Sequence, residues 1–91
     1  MSANILILKG TEAAAPTGSG TASNVSSARV VRCVNSGTTA RLVTLEESGG
    51  TDIGTLTVAG GESVLIRKDA TDKIFAANAE ILLTPVGIYQ G

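Results

Sequence analysis

The chain has 91 residues, a formal net charge of −1, no histidine, no tryptophan, one cysteine and only two aromatic side chains, Phe75 and Tyr89. That length predicts a single domain, residues 1–91, which buries about 60–65% of the surface its unfolded chain would expose. Without histidine there is no Ser-His-Asp triad, Cys-His pair or histidine-ligated metal, and with Cys33 alone there is no internal disulfide or Cys-x-x-Cys pair.

Charged residues make up only 16% of the chain, against an average of about 25%. The seven basic residues are scattered from Lys9 to Lys73, so no basic patch exists to neutralise nucleic-acid phosphates, and single-strand stacking lacks the aromatics it needs. The start, Met1-Ser2-Ala3-Asn4, has no basic n-region and leads into an apolar run of four residues. This is neither a signal peptide nor a membrane span, so no membrane partner is expected.

The elements follow in chain order. Ile5-Leu6-Ile7-Leu8 is the first strand; four consecutive apolar residues suggest cover on both faces, from its own interior or from a neighbouring subunit. Residues 11–27 are rich in Ala, Ser, Thr and Gly, with Val25 the one large apolar residue. This composition predicts a flexible loop or arm, and loops longer than about 12–15 residues are usually functional or ordered from outside. Gly18-x-Gly20 lacks the third glycine and the following helix of a phosphate fingerprint.

Ala28–Asn35 reads as the next strand, with Cys33 as a small apolar core residue. Ala40–Glu47 follows, and Ser48-Gly49-Gly50 marks a hairpin turn. Thr51–Val58 alternates Gly54, Leu56 and Val58 against Ile53, Thr55 and Thr57, while Gly60-Gly61 leads into residues 62–68, where Val64 and Ile66 share a face. At Asp69–Ala77 the pattern breaks; Thr71 or Asp72 can cap a single helical turn containing Ile74 and Phe75, with Phe75 expected to plug one end of the core. Strands at 80–84 and 86–89 finish the chain, Pro85 being tolerated at an edge or bulge. Seven or eight short strands predict an all-β fold, a small antiparallel β-sandwich, with a small β-barrel as the alternative.

Catalytic chemistry finds no support. Glu46 and Glu47 are adjacent and face opposite sides of a strand. Asp69 and Asp72 lack the further oxygens a hard cation needs and read as turn and cap residues. No catalytic residue, metal ligand or cofactor is predicted. A carbohydrate- or receptor-binding sandwich has only Tyr89 as a sugar platform.

The feature order, with a strand ending in Val34-Asn35, a Gly54-Thr55-Leu56 strand and the segment Lys68-Asp69-Ala70-Thr71-Asp72-Lys73-Ile74-Phe75-Ala76, resembles the small β-rich virion structural proteins of tailed bacteriophages, particularly those infecting marine cyanobacteria. The similarity covers roughly residues 28–89, and its one distinctive motif is Lys68–Ala76. It implies a non-enzymatic virion component assembled in the host cytoplasm: a capsid decoration or cement protein, or alternatively a tail, neck or fibre component. The partner would be the major capsid protein or another virion protein. The apolar first strand and the arm favour a homo-oligomer, with a trimer expected at a three-fold axis. The residues expected at the interface are Ile5, Leu6, Ile7 and Leu8 from the strand, and Pro16, Gly18 and Val25 from the arm.

Overall fold

The computed structural model describes residues 4–90; Met1–Ala3 and Gly91, which the single-domain expectation includes, lie outside them. Eight strands alternate with turns: β1 (Asn4–Leu8), β2 (Ala13–Ala14), β3 (Val30–Asn35), β4 (Arg41–Glu46), β5 (Asp52–Val58), β6 (Ser63–Arg67), β7 (Lys73–Ala76) and β8 (Ile81–Gln90). Antiparallel pairing builds a five-stranded sheet in the order β1-β8-β3-β6, with β2 also on β8, and a three-stranded sheet in the order β5-β4-β7. This is a small all-β sandwich.

The two-residue period of a strand decides what lies between the sheets. Val31 and Cys33 of β3, Ile66 of β6, and Ile81 and Leu83 of β8 meet Val43 of β4, Val58 of β5, and Ile74 and Ala76 of β7 in one buried cluster. Two expectations at residues 69–77 fail here. Residues 73–76 form β7, not a helical turn, because its partner β4 supplies ladder hydrogen bonds that one isolated turn lacks. Alternation then sends Ile74 and Ala76 inward, and Phe75 outward opposite Thr44, where it is only half-buried. The core is plugged by Ile74 instead.

The Lys68–Ala76 motif therefore has a structural reading. Lys68 is buried, and its ammonium donates to the carbonyls of Asp69 (3.1 Å) and Ala70 (3.5 Å). Burial pulls its pKa below the ordinary lysine value, opposed by the nearby charges of Asp72 and Asp69. Asp72 Oδ2 accepts from the Asp69 amide, and the Asp72 amide donates to the Asp69 carbonyl, so the turn is closed by its own side chains before β7 begins.

At one end of the sandwich both sheets are tied to Asn35, which is fully buried. Its Nδ2 donates to the carbonyls of Thr39 (2.7 Å) and Val58 (2.9 Å), and Oδ1 accepts from the Gly37 amide (2.9 Å). Its backbone N–H donates to Glu62 O and its carbonyl accepts from Gly61 N–H. One residue thus links β3, the turn into β4 and the crossing from β5 to β6. Glycine is required at position 60, since a Cβ there would sit 2.6 Å from the Thr38 carbonyl carbon.

Pro85 lies in the middle of the ten-residue β8, opposite Val31. Lys9 N–H donates to its carbonyl, so its nitrogen faces the β1/β2 side rather than β3. There the edge strand is interrupted: Lys9 lies at Pro85, β2 resumes with Ala13 opposite Leu83, and the intervening chain bulges outward. Gly10 covers the proline ring so closely that a Cβ would lie 2.7 Å from Pro85 Cγ.

Two outcomes follow. Asn35→Asp replaces the doubly donating Nδ2 with one oxygen aimed at two carbonyls; it is expected to lower unfolding free energy by about 3 kcal/mol or more, against about 1–3 kcal/mol for Asn35→Ala, in urea titrations. Burial pushes the Cys33 thiol from its ordinary 9.0 up to about 11. Between these values the thiol ionises only in the unfolded chain, so its contribution to stability should be constant below pH 9 and fall as pH rises toward 11, by about 2–3 kcal/mol in all at about 1.4 kcal/mol per unit. Cys33→Ala should remove that part of the alkaline slope.

Candidate interaction surface

The first strand is where sequence and structure diverge most usefully. A run of four apolar residues implies cover on both faces, yet within the chain β1 has neither. It is the edge strand of the larger sheet, with Ile5 56%, Leu6 37%, Ile7 41% and Leu8 72% exposed. Its partner is the end of β8, in the register Ile5↔Tyr89, Leu6↔Ile88, Ile7↔Gly87 and Leu8↔Val86. Because β3 pairs β8 only as far as Val86, β1 and residues 87–90 run past the sandwich as a two-stranded ribbon. Tyr89 is also exposed on it.

The apolar surface continues over the sheet. Directly opposed residues of an antiparallel pair point to the same face. The register therefore places Leu6, Leu8, Val30, Val34, Leu65 and Leu82 together on the outer side of the five-stranded sheet. Leu65 is half exposed. Arg32, Thr84 and Arg67 interrupt the patch, and Arg32 is held toward Glu12 at 3.8 Å. A shallow hollow of ≈ 260 Å3 over Arg32 is flanked by Leu6 and Leu65. Clustered exposed apolar side chains on a folded domain mark a contact site more often than chance exposure.

The arm residues are placed differently. Val25 is 7% exposed and belongs to the core cluster, as does Ala15, so Val25 is corrected from interface to interior. The Pro16 carbonyl accepts from Ala76 N–H while Ala15 N–H donates to Ile81 O, so two adjacent residues bond one sheet each. Ser23 exchanges both backbone bonds with Ile74. Gly18 precedes a single 3-10 turn, Ser19–Thr21, and Ser19 Oγ donates to the buried Glu46 carboxylate at 2.8 Å. Segment 11–27 is thus a side wall folded onto its own sandwich, a placement the reading as a flexible arm did not foresee. Its small residues allow that close approach.

The wall ends in an unusual turn. Val25, Ser26 and Ser27 have φ of 53°, 56° and 57°, left-handed values that a β-branched residue rarely adopts. The Ala28 amide donates to Val25 O, the Ser23 hydroxyl accepts from the Val25 amide and Asn24 Oδ1 accepts from the Ser27 amide. Burial of the Val25 side chain and these bonds offset the strain.

Among the described residues, no group of three or more His, Cys, Asp or Glu is arranged to hold a metal ion. Cys33, buried with its pKa raised, is protonated at neutral pH. Comparison with protein-family models, curated proteins and solved structures finds no match to the chain.

The division between ribbon and wall is testable by paired substitutions. Leu8→Lys should change the unfolding free energy from urea titration by no more than about 0.5 kcal/mol, as an exposed position does. Val25→Asp should cost several times as much, because it places a carboxylate in the apolar core.

Proposed function

We propose that the chain is a non-enzymatic structural protein of a bacteriophage virion, a decoration or cement protein that binds the outside of the capsid shell. The observation that carries this reading is the uncovered apolar surface: a ribbon exposed on both faces, continuous with the outer face of the larger sheet. The resemblance of the Lys68–Ala76 segment supports the virion setting. Burying such a surface against the major capsid protein is worth roughly 25 cal/mol per Å2 of apolar area. Repetition over a lattice multiplies a modest contact into resistance against the pressure of packaged DNA. Low charge density suits a surface of this kind, since few ionic groups would lose water on binding.

Purified particles are expected to contain the chain in a copy number on the order of hundreds, as repeated lattice binding requires, and the isolated protein should co-sediment with empty shells. Leu8→Lys should abolish co-sedimentation without unfolding the domain. About a dozen copies per particle would move the protein to the tail or neck. Absence from particles would end the proposal.

A further inference from the structure

The ribbon has two free edges, and they complement each other. The bond from Lys9 N–H to Pro85 O sets the alternation of the β1–β8 ladder. Ile5 and Ile7 then bond toward β8, while Leu6 and Leu8 direct N–H and C=O away from it. On β8 the same alternation turns Gly87 and Tyr89 toward β1 and Ile88 toward the opposite side. There β3 has already ended at Val30, opposite Val86. Beside that open edge lies a cavity of ≈ 460 Å3, lined by Lys9, Ser26, Arg29, Val30, Pro85 and Gly87.

We infer that β1 of a second copy occupies this slot. It runs antiparallel to residues 87–90 in line with β3, so that successive copies close a ring of three or four. β1 has five residues, enough to cover the open length of β8. Between Ile5 and Leu8 it carries no charge, so entry meets no like charge from Lys9 or Arg29. The contact is heterologous: each copy gives one edge and receives another, and every edge is satisfied only when the ring closes. A symmetric β1-to-β1 pair would leave every β8 edge open. Two copies would close only four strands, too few to leave room for side chains. Four copies give eight strands, about the number whose interior side chains just fill; Gly87 thins the lining enough for six. The inward ribbon face is then removed from water.

The inference rests on reading the ribbon as a contact surface, but it can fail separately from the virion reading. Light scattering on the purified chain should give three or four times its 9.1 kDa mass. The variant Ile5→Lys, at a position 56% exposed in the single chain, puts a charge from every copy on the face that Gly87 lines; it should become monomeric with its circular dichroism spectrum and urea midpoint retained. Two single variants, Leu6→Cys and Ile88→Cys, refolded together, should form a mixed disulfide between copies, while Leu6→Cys alone should not cross-link. A monomer or dimer of the unsubstituted chain, a ring that survives Ile5→Lys, or a disulfide within Leu6→Cys alone would each overturn it. A monomer that still co-sediments with shells would overturn the ring and leave the capsid proposal standing.

Discussion

The sandwich depends on one buried amide. A domain of this size has little core to spare, and its two sheets share no long connecting strand, so something must fix their separation where the chain crosses between them. Asn35 does so by pairing both side-chain donors, its Oδ1 and both backbone groups within 3.0 Å of neighbours from both sheets. A buried polar group without partners costs more than it contributes, whereas a fully satisfied one specifies geometry that apolar packing leaves loose. The tight crossing at Gly60 and Gly61 follows from it, because the loop that carries Thr39 must approach that crossing to complete the set.

The opposite constraint acts along the side of the sandwich. There the seal is made by backbone: Ala15 bonds the larger sheet, Pro16 the smaller, and Ser23 the edge of β7. Large side chains would hold this segment away from the ladder edges it covers. The wall protects one side, while the ribbon and, on the outer face of the five-stranded sheet, Leu65 stay exposed. Coverage of one edge and exposure of another within a single small domain is a division between folding surface and contact surface.

Much of this was legible in the sequence. Alternation at Val31/Cys33, Leu56/Val58 and Val64/Ile66, punctuated by glycine pairs, was enough to predict an antiparallel sandwich and most strand positions. Phe75 was misread because size was weighed above parity; the inward pair Ile74 and Ala76 carried the signal that identifies β7. Segment 11–27 was misread because a composition of Ala, Ser, Thr and Gly is shared by loops and by backbone packed at short range. Nothing local announces the left-handed Val25, whose conformation is imposed by its contacts. The apolar run at Ile5–Leu8 was visible at once, but whether its cover came from within the chain required the topology.

Pro85 shows how a single missing donor constrains assembly of the sheets. β8 is the longest strand and touches β1, β2 and β3, so an error in its alignment would propagate to every neighbour. A slip of one residue would turn the proline nitrogen toward a carbonyl of β3 and exchange the inner and outer faces of the strand. A slip of two would preserve the faces but carry the ring away from Gly10 and set it against the ladder of β2. Only the observed alignment places the imino nitrogen where the edge strand is broken. The proline therefore acts as an index mark, making the mispaired sheets unfavourable before the core has closed over them.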